Sequence, residues 1–227
     1  MANYLGDTAY LQRGGQYDPK RVFENDTNHS LQRSISIPGG YGILPAGCLM
    51  GQITESTSRK GMFVPYAIQT AALFEVNFFG AYLLIDGAAD AVCMMSIDDS
   101  YKFAVGDHLG AVDSDATAVD LGAVVTIDRT TYSTQAVVTV TNNVTTAITI
   151  AKWGFVFIQT DTSSPFTTAK GVLAGSYDTG TGENAKGAEG SMIISHAVVK
   201  YGLIPNYDAG ALTDLSAFLS APYMIMR

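Results

Sequence analysis

Apolar and polar residues alternate with a period of two at several points along the chain. Ser34–Ile35–Ser36–Ile37 alternates and stops at Pro38–Gly39–Gly40, and Phe74–Glu75–Val76–Asn77–Phe78 alternates again. This period sends successive side chains to opposite faces of a strand. Cys48–Thr54 and Met62–Tyr66 read as two further strands separated by a polar loop, and a Pro-Ala-Gly turn precedes them. Ala81–Ile85 faces Ala91–Met95 across "DGAAD", which predicts a hairpin. Gly122–Ile127, Ala136–Val140, Ala147–Ile150 and Phe155–Gln159 are rich in Val, Ile and Thr, as strands are. The stretches 135–141 and 147–152 flank "NNVTT" and are expected to pair.

Beyond the linker-like "TDTSSP", strands are predicted at about 169–175 and 191–199 around the Gly-rich "GSYDTGTGENAKG", which reads as a flexible hairpin or surface loop. A single helix is predicted. Asp208 is its N-cap, Leu212, Leu215 and Leu219 share one face over 209–220, and Ala221–Pro222 stops it. A last strand covers Tyr223–Met226. The chain is therefore expected to be mainly β, with one short C-terminal helix. Residues 97–160 form a compact group of strands, expected to be a small barrel-like lobe inserted between 35–96 and 161–227.

Residues 1–34 follow neither period. They carry Tyr4, Leu5, Tyr10, Leu11, Tyr17 and Phe23 among Gly, Gln, Asn and Asp. Such a segment cannot build its own core, yet it holds more aromatic surface than a chain left in water needs. It is expected to be an extended arm that docks on a partner.

Composition narrows the function. Hydrophobic residues make up 47% of the 227 positions and charged residues only 15%, which argues against disorder and for extensive burial. The formal net charge is −8, and no basic run exceeds the pairs Lys20–Arg21 and Arg59–Lys60, so nucleic acid is not the expected partner. The apolar stretch around Ala81–Ile85 is far too short for a membrane span. The opening "MANYLGDTAYLQRGG" lacks the charged and apolar regions of a secretion signal, so Cys48 and Cys93 are expected to be buried free thiols. The sequons at Asn25, Asn28 and Asn143 then read as chance matches.

Candidate chemistry is sparse. His196 follows Ser195 directly, and neighbours on a strand face opposite ways, so they make no nucleophile–base pair. His108 lies among Asp107, Asp113, Asp115 and Asp120, but the central Gly and terminal Glu of a calcium loop are missing, and a solvated acidic turn is expected. In "GSYDTGTGENAKG" the residue after Gly187 is Ala188, so the Walker spacing fails. Neither cysteine has partners at metal-ligand spacing. Trp153, Phe155 and Phe157 read as core or interface. No catalytic residue, cofactor or metal is expected, and the chain does not read as an enzyme.

One stretch carries a resemblance. "ILPAGCLMGQIT" followed by "MFVPY" is similar to the "L-AGT-LG-ITA-GKYVPY" core of the tailed-phage head decoration proteins, the lambda D-protein-like family of capsid cements. Leu44, Ala46, Gly47, Leu49, Gly51, Ile53, Thr54, Val64, Pro65 and Tyr66 carry it. The later "AKGVLAGSYDTGTGENAKGAEGSMIISHAVVKYGLI" resembles the closing half of larger members. Cys48 stands where that family usually has Thr, and 97–160 is longer than its small members contain. The resemblance implies a β-clip-like barrel for the main domain, and homotrimers on the outer surface of the virion. They would bind the expanded major capsid lattice at local three-fold positions, with the arm touching the major capsid protein, after synthesis in the host cytoplasm. A head-fibre base or tail adhesin binding a host surface glycan is the alternative.

Overall fold

A computed structural model describes residues 31–56, 58–67, 79–86, 90–113, 115, 118–144, 148–152, 154–160, 167–195, 197–199, 203–218 and 224–226. The arm residues Tyr4 to Phe23, the expected strand 74–78, Trp153, His29 and His196 lie outside them. The chain is mainly β, built on two larger sheets, one of them near-closed into a barrel.

The first sheet has the order β1-β13-β11-β3-β4, with β1 at Leu31–Ile37, β3 at Leu49–Gln52, β4 at Phe63–Pro65, β11 at Ala169–Leu173 and β13 at Ala188–Ser195. All its pairings are antiparallel. Alternation sorts its side chains onto two faces. Ile35, Ile37, Met50, Phe63, Leu173 and Met192 pack on one, while Leu49, Tyr66, Val172 and Ile193 pack on the other. The second face is covered by α1 (Ala209–Phe218) through Ala211 and Leu215. Strand β1 starts at Leu31, so the last residues assigned to the arm, Leu31–Ser34, are paired with β13 instead. Edge strands β1 and β4 approach each other, and Arg33 lies over the Phe63 ring, 5.6 Å from its centroid.

The second sheet has the order β5-β10-β7-β8-β9-β6: β5 at Ala81–Tyr82, β6 at Asp90–Ser96, β7 at His108–Val112, β8 at Ala118–Asp128, β9 at Gln135–Val144 and β10 at Phe155–Ile158. Ala136, Val138 and Val140 alternate inward along β9, and Cys93 and Met95 do so along β6. Strand β10 is buried on both faces: Val156 and Ile158 enter the barrel core, while Phe155 and Phe157 stack outside it with Ala67 and Val112. Edge strands β5 and β6 do not form the expected hairpin. Ala81–Tyr82 pairs with β10 and β6 pairs with β9, and Leu84 N donating to Met94 O at 2.8 Å links the two edges. That bond brings the sheet close to a closed barrel, the arrangement that removes open edges.

Three further expectations are corrected. Residues 148–152 are not a strand paired with β9; they end in a 3-10 turn at Ile150–Lys152, and β9 pairs with β8 and β6. The stretch 175–187 is not a free loop. Its β12 (Tyr177–Asp178) pairs with β2 (Ile43–Leu44), and beyond it Thr179 N donates to Gly42 O, while Gly40 N and Gly42 N, in the turn after β1, donate to Thr179 O and Gly180 O. The helix buries Ala211 and Leu215, whereas Leu212 is exposed. Its N-cap is as expected, with Asp208 Oδ1 accepting from Ala211 N at 2.9 Å. After β13 the chain adds β14 (Ala197–Val199), which pairs in parallel with β15 (Met224–Met226).

Candidate functional site

Strand β10 runs between two sites, one beside Gly154 at its start and the other at Thr160 just beyond its end. At the far end, the loop joining β3 to β4 folds over the barrel. Ile53 and Val64 are fully buried in the barrel's apolar cluster, with Met62 and Tyr41 packed against it, although all four precede the second sheet in sequence. The loop closes on itself through Ile53 N to Met62 O and Gly61 N to Ile53 O. Thr54 ties it to the end of β10, its N–H and its hydroxyl both donating to Thr160 O.

A buried carboxylate receives the rest of the loop. Asp107 is fully buried at the start of β7. Its Oδ1 accepts from Ser56 Oγ at 2.8 Å, and its Oδ2 accepts from Ala104 N at 2.8 Å and Arg59 Nη1 at 3.2 Å. Arg59 Nη1 also donates to Lys102 O at 2.7 Å. Burial raises the Asp107 carboxyl above the ordinary carboxylate value, and Arg59 and the donated hydrogen bonds pull it back only in part. The Tyr41 hydroxyl, beside the same pair, is held far above its ordinary value by burial.

At the other end lies an apolar cleft of about 340 Å³, lined by Tyr82, Leu83, Ile150, Ala151 and Gly154. Leu84 and Ile150 are exposed there, and Asp86 Oδ1 accepts from Ile150 N at 2.7 Å. Lys152 and Asp115 form an exposed ion pair at 2.6 Å.

The expected acidic turn around His108 is not one. His108 opens β7, Asp107 and Asp113 are buried, and Asp115 and Asp120 alone remain exposed. The strand His108–Val112, held between β10 and β8, forces the two flanking aspartates inward. Among the described residues, no group of three or more His, Cys, Asp or Glu is placed to hold a metal. Cys48 and Cys93 are free and buried, with burial pushing the Cys93 thiol up to about 12 and Cys48 higher still. These are packing residues rather than nucleophiles.

The motif residues are brought together. Leu44, Ala46, Gly47, Leu49, Gly51, Ile53, Val64, Pro65 and Tyr66 are all buried, while Thr54 is exposed. Gly47 adopts φ +87°, the left-handed conformation required at the third position of a turn closed by Cys48 N to Pro45 O. Gly51 is a close approach: a Cβ there would lie 2.7 Å from Thr168 O. Asn206, which sequence reading passed over, holds the C-terminal segment to this motif. Its Oδ1 accepts from Leu49 N at 2.8 Å, and its Nδ2 donates to Leu49 O and Tyr66 O, both at 3.0 Å. Tyr66 Oη donates to Asp208 Oδ1 at 2.8 Å, joining the motif to the helix cap. The Asn-Tyr-Asp run before an N-cap was its one sequence signal.

With this geometry in view, no protein-family model, curated protein or solved structure matches the chain. No helix among the described residues is long and apolar enough to cross a membrane.

Proposed function

We propose that this chain is a capsid decoration protein, a cement that binds the outer surface of an expanded major capsid lattice as homotrimers at local three-fold positions. The reading is non-catalytic, with the major capsid protein as partner and no nucleic acid, membrane or cofactor. The observation that carries it is the resembling stretch 43–66. Its residues occupy β2, the Gly47 turn, β3 and β4, and they link the first sheet to the barrel and to the C-terminal helix. A cross-tied β body in which only 15% of the residues are charged supports a mechanical role, and closed symmetric assemblies are the commonest form of soluble oligomers. The arm supplies a contact: an extended segment adds to a partner's sheet edge by main-chain hydrogen bonds while its aromatics fill pockets.

Mixing the purified protein with expanded and unexpanded capsids, followed by sedimentation and electron microscopy, tests the reading. Decoration confined to expanded shells, with density at local three-fold positions, is expected. Density on the tail would instead select the adhesin, and no particle binding would remove both.

A further inference from the structure

We propose that the tip of the β3–β4 hairpin, residues 53–62, is a latched plug. It closes one end of the six-stranded barrel, and Arg59, Ser56 and Asp107 form the latch. This inference does not depend on the capsid reading.

The plug is defined by what it buries. Ile53 of the tip and Val64 of the hairpin base sit in the core that fills the barrel, alongside Leu109, Leu121 and Val124. Residues of one sheet therefore complete the interior of the other. The latch is defined by its polar contacts. Among the described residues, one backbone bond ties the loop to the chain just beyond β10, from Thr54 N to Thr160 O, and the Thr54 hydroxyl donates to the same oxygen. From Glu55 to Lys60 the described contacts to the barrel side are made by side chains: Ser56 and Arg59 to Asp107, and Arg59 to Lys102 O. Removing Arg59 takes the cationic partner from a buried carboxylate, a costlier loss than that of an exposed pair. The hairpin base is different in kind, since Met50, Gly51 and Gln52 pair regularly with Pro65, Val64 and Phe63. The fold thus contains a firm hinge at β3–β4, a tip seated in a foreign core, and a single electrostatic fastening between them. Releasing the latch withdraws the tip and opens the barrel end beside β7, while the first sheet stays paired.

Hydrogen exchange read by mass spectrometry on the full-length protein tests this, with Arg59→Met as the latch variant and Lys60→Met as its neighbour control. In Arg59→Met, exchange at the bonded amides of Ile53, Thr54, Gly61 and Met62, and at Val124 opposite, should accelerate about tenfold or more. Exchange in Leu31–Ile37 and Ala188–Ser195 should stay within about twofold of wild type, and Lys60→Met should match wild type throughout. An unchanged tip, or equal acceleration in β1 and β13, overturns the proposal, because the pair would then be either idle or a general stabiliser. If Arg59→Met does not fold, Ser56→Ala removes the bond to Asp107, together with the Ser58 N and Arg59 N bonds that Ser56 Oγ accepts within the tip, at little change in volume. It must then show the same localised pattern at smaller amplitude, and a uniform or null pattern there also overturns the proposal.

Discussion

Leu49 and Asp107 show how differently two fully buried residues contribute. Leu49 lies against Tyr66, Val172 and Leu215, so Leu49→Ala removes apolar contacts and leaves a cavity between sheet and helix. A loss of about 2–5 kcal/mol is expected, read from urea midpoints at unchanged slope. Asp107 is buried with a charge, and its effect depends on pH. Its folded pKa is raised above 3.8. In the window from that ordinary value up to the folded one, the native state therefore binds more protons than the unfolded chain, and stability from this group falls as pH rises. The groups facing it are Arg59 from the β3–β4 loop, Tyr41 from the turn after β1, and His108 on β7. Asp107→Asn removes the titration. The wild type's margin over Asp107→Asn should be largest near the low end of that window and shrink as pH rises through it, measured by urea unfolding at several pH values. A margin that grows with pH would show that Arg59 outweighs burial.

Among the elements, the joint between β3, β4 and the C-terminal helix depends on one amide. Asn206 satisfies both the N–H and the C=O of Leu49 and the C=O of Tyr66, as a neighbouring strand would. Asn206→Ala takes this partner from the buried Leu49 N–H and Tyr66 C=O, while Leu49 O keeps its bond from Tyr66 N, and each buried group left unsatisfied costs about 1–3 kcal/mol. The expected result is a lowered urea midpoint, with amide exchange at Leu49 and Ala211 rising more than in β8 or β9. The turn ahead of β3 offers a smaller test. Gly47→Ala must hold φ near +87°, a left-handed strain of about 1–2 kcal/mol, detectable as a fall in thermal midpoint without loss of fold.

On the scale of the whole molecule, the described body is cross-tied by residues far apart in the chain, and its first strand begins at Leu31. Deleting residues 2–30 therefore leaves every described strand intact. The truncated protein should keep its far-UV spectrum and oligomer size but lose co-sedimentation with expanded capsids. Wild-type occupancy by the truncated form would move the partner contact onto the body. Failure to fold would make residues 2–30 part of the core.

Local pattern alone determined the mainly β class, the N-cap at Asp208, the Gly47 turn, and the strands around 35, 50, 64, 93, 138, 156 and 171. Each follows from side-chain period or backbone stereochemistry within a few residues, and needs no distant partner. Strand partners were decided only in three dimensions. Ala81–Tyr82 and Asp90–Ser96 are neighbours in sequence with a plausible turn between them, yet β5 pairs with β10 over two residues and β6 pairs with β9 along most of its length. The helix face was likewise settled by packing, since Leu212 is the more apolar of two adjacent residues and the position of the first sheet nevertheless buries Ala211 instead. Asp107 looked like one of four solvated carboxylates. It became a buried latch because folding places Ser56 and Arg59, some fifty residues earlier, within hydrogen-bond reach. Apolar period is a one-dimensional signal, whereas the desolvation and pairing of a charge depend on what the rest of the chain brings to it.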